Sequence, residues 1–181
     1  MSSWSSQGVL AWLQADSVGL DPWVLPPDGD PVPFFASAGD EFFATFSPDG
    51  NWLAYTSDQS GRQEVYVRPY PGPEPETRIS VNGGEDVAWS RDGRQIYFTG
   101  PRGLMAVDVT PGADFQRGRP TPLIEPWLSR CYPVRCYDVF PDGSFVTTVQ
   151  DDDRSWLEQF GATELHVVLN WFEELKARVG N

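Results

Sequence analysis

Few side chains in this sequence have the type and spacing that catalysis requires. A nucleophilic triad needs a base, and the single histidine, His166, lies in TELHVVLNW, where strand alternation places it opposite Leu165 and Val167. We expect a histidine on a strand surface or in a structural hydrogen bond. The sequence has no G-x-S-x-G, P-loop, G-x-G-x-x-G or metal-binding helix motif. It therefore predicts no catalytic residue, no cofactor-binding residue and no cofactor.

Three aspartates recur in similar phrases and resemble a carboxylate cluster at first sight. Each precedes a glycine, and their equivalent repeat positions place them in three separate turns. An aspartate in a tight turn bonds nearby backbone amides, while the glycine takes the positive φ that the turn needs. We therefore predict structural turns rather than a catalytic acid cluster. The pairs are Asp49-Gly50, Asp92-Gly93 and Asp142-Gly143.

The densest run of acids consists of Asp151, Asp152 and Asp153. Three carboxylates in one loop could hold a calcium ion, but the spacing and the glycine of an EF-hand are missing. This pattern favours a solvated acidic loop. The sequence predicts no metal-binding residue.

The two cysteines, Cys131 and Cys136, are spaced C-x4-C. A disulfide across so short a loop would stabilise the fold little, and two thiols without a companion histidine or cysteine cannot complete a zinc site. We expect two partly buried thiols, although the sequence alone leaves their bonding open.

The charge of the chain limits its partners. The net charge is −13 and the pI is about 4.3, so the protein repels phosphate backbones and anionic lipid headgroups, although an acidic face can also serve solubility alone. We expect no nucleic-acid partner. No apolar run approaches the roughly 20 residues of a membrane span, which predicts no direct membrane insertion. The N-terminus lacks a secretion signal, so a cytoplasmic location is expected if Met1 is the native start.

A repeated phrase sets the architecture. FSPDGNWLAYTS returns as WSRDGRQIYFTG and as VFPDGSFVTTVQ, with the Asp-Gly pairs 43 and 50 residues apart. Asp-Gly between two apolar stretches is a strong signal for a β-hairpin, and this period suggests a four-stranded repeat. Three columns of apolar residues follow the repeat: Phe46, Trp89 and Val139; Leu53, Ile96 and Val146; and Tyr55, Phe98 and Thr148.

A third and a fourth strand complete each repeat. The stretches WVLPPDG, VYVRPYPG and AVDVTPG each end in a Pro/Gly turn, with Val24, Val67 and Val107 in one column. The segments that follow, PVPFFA, ETRISV and PTPLIE, tolerate proline as an edge strand does. Seventeen glycines and seventeen prolines spread along the chain suit this pattern and disfavour long helices. Four strands with a proline-tolerant outer strand are typical of a propeller blade.

The predicted fold is all-β: a partial β-propeller of four-stranded antiparallel blades in a single domain, 1–181, with a short C-terminal helix. The stretch GVLAWLQAD matches NWLAYTSD, but no Asp-Gly precedes it, so the N-terminal blade is expected to lack its first strand. The last blade is expected to lack its fourth. The predicted blades span about 8–37, 38–82, 83–125 and 126–171, and the helix spans about 171–179.

The phrases SPDGNWLAYTSDQSGRQEVYVRPYPG and LNWFEELKARV resemble the TolB-type, WD-repeat-like β-propeller, as found C-terminal to bacterial serine/threonine kinase domains. The resemblance covers about residues 8–179. It implies a recognition module that binds proteins or small ligands, and an extracytoplasmic location as the alternative to a cytoplasmic one. No kinase motif is present, so phosphoryl transfer does not carry over. Such propellers usually have more blades than the four incomplete ones predicted here.

Five aromatic residues lie outside the repeat columns. Tryptophan and tyrosine contribute heavily to interface hot spots, so these side chains are candidates for a contact surface, with core packing as the alternative. The candidates are Trp4, Trp127, Tyr132, Trp156 and Phe160.

The sequence thus favours a non-enzymatic protein-interaction or scaffolding module, an accessory subunit of a larger assembly. Its partner would be another copy or a different subunit, including one in a membrane complex, because an acidic propeller can dock on a basic protein face. Two alternatives stay open. One is a ligand-sensing propeller that regulates a kinase, and the other is a propeller hydrolase or lyase that uses channel-lining carboxylates.

Overall fold

The structure is a computed structural model that describes residues 2–15, 17, 19–35, 37, 39–72, 75–112, 115–125, 135–140 and 142–147. Every regular element in these residues is a β-strand, and all strand pairs are antiparallel. The predicted helix at 171–179 and most of the predicted blade at 126–171 lie outside the described residues. The all-β prediction of four-stranded antiparallel sheets is confirmed.

The strands form four sheets in chain order. The first contains β1 (Ser2–Trp4), β2 (Leu10–Ala15), β3 (Leu20–Leu25) and β4 (Val32–Pro33). The second contains β5 (Glu41–Phe46), β6 (Trp52–Ser57), β7 (Glu64–Pro69) and β8 (Thr77–Arg78). The third contains β9 (Glu85–Trp89), β10 (Gln95–Gly100) and β11 (Gly103–Thr110), with β12 (Gln116–Arg117) and β13 (Thr121–Ile124) both paired to β11. In the fourth, β14 (Tyr137–Val139) pairs with β15 (Phe145–Thr147).

The first sheet has a strand that the sequence pattern missed, so the prediction of a missing first strand is wrong. β1 pairs with β2 through a turn without an Asp-Gly pair. Ser5 supplies the turn chemistry: its Oγ accepts hydrogen bonds from the amides of Gln7 at 3.2 Å and Val9 at 3.0 Å. Gly8 then takes the positive φ, at 79°, as Gly50 does at 75°. A serine therefore does what Ser47 and Asp49 do together in the second sheet.

Two of the predicted columns are displaced by one residue in the structure. Val67 lies opposite Ala54, but Val107 lies opposite Ile96. The cause is the length of the connection. β10 and β11 are joined by a two-residue turn between Gly100 and Gly103, which is four residues shorter than the connection between β6 and β7. Aligning Val107 with Val67 would require a connection only three residues shorter. The column of valines therefore does not match the strand register.

The Asp-Gly turn of the fourth sheet is also shorter. There the amide of Phe140 donates a hydrogen bond to the carbonyl of Ser144, four residues later. In the second sheet the amide of Ser47 donates to the carbonyl of Trp52, five residues later. As a result Phe145, not Val146, lies opposite Val139. Val146 faces the other way and is 38% exposed. The predicted column that contained Val146 is therefore wrong at that position, and Thr148 lies outside the described residues.

Consecutive sheets stack face to face. We call the face toward the preceding sheet in chain order the leading face, and the opposite face the trailing face. Residues alternate between the two faces along the regular parts of the strands. Three apolar clusters join the sheets in pairs. Between the first and second sheets, the cluster joins Val9, Ala11 and Val24 to Phe46, Leu53, Tyr55 and Tyr66. Between the second and third, it joins Ala54, Val65, Val67 and Ile79 to Val87, Trp89, Ile96, Phe98 and Met105. Between the third and fourth, it joins Ala88, Tyr97, Leu104 and Ala106 to Tyr137, Val139 and Phe145.

The first strands of the sheets lie side by side and are linked by hydrogen bonds. The amide of Phe46 donates to Ser3 Oγ at 3.0 Å, and the indole N–H of Trp89 donates to the carbonyl of Thr45 at 3.3 Å. β5 and β9 each contain an irregularity at the same repeat position, where Phe43 and Asp86 have φ values of 56° and 59°. These contacts keep the inner strands in a fixed register.

Candidate interaction surface

The three predicted turn aspartates each hold their own turn. Asp49 Oδ1 accepts hydrogen bonds from Ser47 Oγ at 2.5 Å and from the amide of Asn51 at 3.1 Å. Asp92 Oδ1 accepts them from Ser90 Oγ at 2.7 Å and from the amide of Arg94 at 3.0 Å. Partial burial acts to raise the pKa of Asp49, but these hydrogen bonds outweigh it and hold the pKa below the ordinary value. Ionised carboxylates in this position act as acceptors within the turn.

The third turn follows the same rule. Asp142 Oδ1 accepts hydrogen bonds from the hydroxyl and the amide of Ser144 at 2.6 and 2.9 Å, and both lower its pKa. In Asp92 the hydrogen bonds from Ser90 and Arg94 also lower the pKa. Asp92 and Asp142 line one open cleft of about 530 Å³, which Asp49 does not reach. Each carboxylate in the cleft is engaged in its own turn.

A smaller cleft lies against the inner strands. Its volume is about 240 Å³, and its walls include the large residue that precedes each turn: Trp4, Phe46, Trp89 and Val139. Arg135 also lines it, but this guanidinium is held by the carbonyls of Tyr137 at 2.8 Å and Val87 at 3.3 Å and by Asp138 at 3.0 Å. The sequence pattern did not single out Arg135, because one arginine beside a cysteine carries no motif.

Two fully buried glutamates were also missed by sequence reasoning. Glu41 accepts hydrogen bonds at Oε1 from Ser37 Oγ at 2.6 Å and Ser57 Oγ at 2.9 Å, while its Oε2 has no hydrogen-bond partner of good geometry among the described residues. Burial raises its pKa to about 7, and the nearby Asp21 adds to the effect. Glu64 pairs with Arg62 at 2.8 Å and with the hydroxyl of Ser80. Because both side chains are closed off from solvent, neither can reach a substrate.

Cys136 corrects the prediction of two thiols, since it is disulfide-bonded and only 4% exposed. A disulfide that closes a short loop contributes little to the free energy of unfolding. That small contribution does not prevent the bond from forming. Cys131 lies outside the described residues. So do His166, Asp151, Asp152 and Asp153.

Of the five interface candidates, Trp4 lies among the described residues and is 68% exposed. Trp127, Tyr132, Trp156 and Phe160 lie outside them, so their role stays a prediction. Trp4 belongs to the leading face of the first sheet, where it lies opposite Leu10.

The leading face of the first sheet carries several large apolar side chains that are at least partly exposed among the described residues. Trp12 lies opposite Trp23 on it, with ring centroids 6.3 Å apart, and Leu10 lies opposite Leu25. These side chains are partly exposed, in contrast to the trailing face of the same sheet, where Ala11 and Val24 are buried. We call this surface the open face and define it by Trp4, Leu10, Trp12, Trp23 and Leu25.

Comparison with solved structures identifies the architecture. TolB from Acinetobacter baumannii aligns with 67% of this chain at a TM-score of 0.54 and 20% sequence identity, and the alignment covers 32% of that protein. A protein described as TolB from Agrobacterium tumefaciens aligns with 65% at a TM-score of 0.52 and 18% identity, covering 48% of its length. The chain has the fold of part of a TolB-type β-propeller. The four sheets are therefore blades 1 to 4.

Another propeller gives a similar match. A protein described as a 6-phosphogluconolactonase from Bacteroides uniformis aligns with 84% of this chain at a TM-score of 0.53 and 17% identity, covering 47% of its length. The chain spans about a third to a half of the length of these propellers. No protein-family model matches the sequence, and no curated protein matches it either. At these identities the comparisons establish the propeller fold.

Neither a candidate metal site nor a candidate membrane span is found in the part of the chain that the structure describes. In it, no group of three or more histidine, cysteine, aspartate or glutamate side chains is placed to hold a metal ion. Within the same residues, no helix is both long and apolar enough to span a lipid bilayer.

Proposed function

We propose that this chain is a non-enzymatic protein-interaction module, an accessory subunit that docks on its partner through the open face of blade 1. One observation carries the proposal. The positions of Trp4 and Trp12 correspond to those of Phe46 and Tyr55 in blade 2, which are 6% and 0% exposed because blade 1 covers them. In blade 1 the same positions hold larger aromatic side chains, and among the described residues Trp4 is 68% exposed and Trp12 is partly exposed.

The energetics support docking. A tryptophan side chain buries on the order of 150–250 Å² when it is fully covered, and burial of apolar surface contributes roughly 25 cal/mol per Å². Three tryptophans on one sheet face are therefore a strong hydrophobic anchor, and aromatic anchors dominate binding energy at interfaces. The net charge of −13 favours a partner with a basic rim around the contact.

Size-exclusion chromatography with light scattering, applied to the native protein in extracts of its own host, tests the proposal. We expect the protein to elute in a species well above its 20.2 kDa chain mass. Trp12→Lys should shift it toward 20.2 kDa, whereas Leu123→Lys, which changes an exposed leucine on the outer strand of blade 3, should not. A native species at the mass of one chain would overturn the proposal.

Hydrolysis of a sugar lactone is the second candidate, supported by the fold shared with the protein described as a 6-phosphogluconolactonase and by the cleft at the inner strands. Arg91, Arg135 and Asp138 are the charged residues of that cleft. Arg135 and Asp138 are bonded to each other, which leaves little free acid or base for the reaction. Proton release from 6-phosphogluconolactone, followed with and without the protein, distinguishes the two candidates: we expect no turnover above the uncatalysed rate.

A further inference from the structure

The connection between blades 2 and 3 contains an asparagine followed by a glycine, Asn82-Gly83. It runs from β8 to β9, and Asn82 is exposed there with a positive φ of 65°. Asparagine is thermally labile because the backbone nitrogen of the next residue can attack the carbon of its side-chain amide. A glycine in the next position hinders that attack least, since it has no Cβ. The pair is therefore a candidate for chemical modification by the chain itself.

Both reacting groups of this pair are free among the residues that the structure describes. The side chain of Asn82 forms no hydrogen bond there, and the amide of Gly83 donates none. The space around Gly83 is also open: apart from its chain neighbours, an added Cβ would come no closer than 3.9 Å to another atom, the carbonyl oxygen of Gln63. Neither a hydrogen bond nor a neighbouring side chain therefore holds the nitrogen away from the side-chain amide.

The four Asp-Gly pairs of the described residues differ from this one. In each of them the glycine amide donates a hydrogen bond to the carbonyl three residues earlier, which closes the turn. An amide held in this way must lose its hydrogen bond before its nitrogen can attack a side chain. The bonds run from Gly29 to Pro26 at 3.3 Å, from Gly50 to Ser47 at 2.9 Å, from Gly93 to Ser90 at 3.0 Å and from Gly143 to Phe140 at 2.9 Å.

The other asparagine among the described residues, Asn51, is protected on both counts. Its Nδ2 donates to Asp49 Oδ2 at 3.1 Å, and its Oδ1 accepts a hydrogen bond from Gln7 Nε2 at 3.1 Å. The amide of the next residue, Trp52, donates to Ser47 Oγ at 3.0 Å. The side-chain amide and the attacking nitrogen are thus both engaged at this position.

We propose that Asn82-Gly83 is a self-modification site, at which Asn82 deamidates through a cyclic imide. The nitrogen of Gly83 forms a bond to Cγ of Asn82, the Cγ–Nδ2 bond breaks, and ammonia leaves with the proton that the Gly83 nitrogen gives up. Water then opens the five-membered ring at either of its two carbonyls. One opening gives aspartate with an unchanged backbone, and the other gives isoaspartate, whose backbone is longer by one carbon. Either product adds one negative charge to the net charge of −13.

The two products should differ in their effect on the connection. The backbone is held on both sides of Asn82, because the amide of Ile79 donates to the carbonyl of Val65 at 2.8 Å and the amide of Gly84 donates to the carbonyl of Gln63 at 3.0 Å. Aspartate keeps this spacing and tolerates a positive φ much as asparagine does. Isoaspartate inserts one more backbone atom between the two hydrogen bonds, so it should loosen the bond from Gly84.

Peptide mapping of the full chain by mass spectrometry tests the proposal. The native protein is incubated at mildly alkaline pH, and its tryptic peptide 79–91 is followed over time against a sample digested without incubation. We expect the peptide to gain the mass of an amide-to-acid exchange and to separate by chromatography into aspartate and isoaspartate forms. Asn82→Gln is the matched control, because its amide lies one carbon further from the backbone and should give no product on the same time scale.

Unfolding the chain in urea checks the role of the engaged amides. It should raise the rate of isomerisation at Asp92-Gly93 roughly fivefold or more, because the Gly93 amide loses its hydrogen bond, and should change the rate at Asn82 by less than that. The measurement is independent of docking through the open face, since the site lies between blades 2 and 3.

Three results would overturn the proposal. The first is a native peptide 79–91 that stays unmodified while the same peptide, cut free, deamidates, since the fold would then protect Asn82. The second is an equal mass gain in this peptide of the Asn82→Gln variant. The third is a product that contains aspartate without isoaspartate, because a cyclic imide opens at both carbonyls.

Discussion

The indole of Trp12 lies beside the indole of Trp23 on the open face of blade 1, with ring centroids 6.3 Å apart and the ring planes tilted by 36°. This pair corresponds to Tyr55 and Tyr66, which blade 1 itself buries. We therefore expect matched alanine substitutions to differ sharply in the isolated protein. Tyr55→Ala should lower the free energy of unfolding by roughly 3–5 kcal/mol, as for other buried aromatic residues. Trp12→Ala should lower the free energy of unfolding by about 1 kcal/mol, because this side chain is already partly exposed to solvent.

Urea titration at low protein concentration measures both values, since dilution limits any self-association that would stabilise Trp12. Trp23→Ala serves as the second member of the exposed pair and should resemble Trp12→Ala. Equal losses for Trp12→Ala and Tyr55→Ala would show that something in the isolated chain already covers the open face.

The buried Glu41 predicts an unusual dependence of stability on pH. Its carboxyl titrates near pH 4.5 when unfolded and near pH 7 when folded, so the folded state binds the extra proton between these values. Stability from this group is fully present below about pH 4.5 and is lost as the pH rises to about 7. Glu41→Gln keeps an acceptor for Ser37 and Ser57 and removes the charge. It should therefore stabilise the protein at pH 8 by up to about 3 kcal/mol and have little effect at pH 4.5 or below.

Urea titrations at pH 4, 5, 6, 7 and 8 follow the predicted slope. Glu125→Gln is the control, because this glutamate forms an exposed ion pair with Arg102 and such pairs contribute little. A Glu41→Gln variant that is less stable than the native protein at pH 8 would contradict the assignment, since it would mean that Glu41 is held as a carboxylate.

The repeat made most strands of blades 2 and 3 predictable. Asp-Gly marks a turn through the conformational needs of glycine, and alternation marks the strand that follows, so local chemistry was enough around Gly50 and Gly93. The first strand of blade 1 was not predicted, because Ser5 holds its turn without an aspartate. The strand register of Val107 was predicted wrongly, because register depends on the length of a connection, which composition does not reveal.

The functional features were less accessible to sequence reasoning. Trp12 matched Tyr55 in the repeat, yet whether a neighbouring blade covers that position depends on how many blades precede it in space. Glu41 looked like an ordinary strand residue, because the sequence does not show that its carboxyl group is fully buried or that Asp21 of blade 1 lies near it. Both properties depend on three-dimensional packing.

The serine-held turn of blade 1 can be tested at Gly8. Its φ of 79° lies in the left-handed region, and an added Cβ would meet Pro27 Cγ at 3.2 Å. Gly8→Ala should therefore cost roughly 1 kcal/mol or more of unfolding free energy. Gly112→Ala is the matched control, because an added Cβ meets no atom within 4 Å there and the predicted change is close to zero. If Gly8→Ala were as harmless as Gly112→Ala, the β1–β2 hairpin would not have the described turn.

One buried hydroxyl group contributes a hydrogen bond to the contact between blades 3 and 4. Tyr137 is 4% exposed, and its hydroxyl donates a hydrogen bond at 2.6 Å to the carbonyl of Asp86, the residue with positive φ in β9. Burial raises the pKa of Tyr137 well above 10, so the group remains a donor at any pH used for the measurement. Tyr137→Phe keeps the ring beside Phe145 and removes the hydroxyl that forms this bond, which should cost roughly 1–2 kcal/mol of unfolding free energy in urea.

Tyr97→Phe provides the comparison for that measurement. Its hydroxyl also donates one hydrogen bond, at 2.8 Å, but to the side chain of Gln95 in a partly buried position. Because water can replace this bond when the hydroxyl is removed, we expect a loss below about 0.5 kcal/mol. A loss for Tyr137→Phe no larger than that for Tyr97→Phe would mean that the Asp86 carbonyl does not depend on the tyrosine. The link between blades 3 and 4 would then rest on apolar packing and on the hydrogen bond from Arg135 to the carbonyl of Val87.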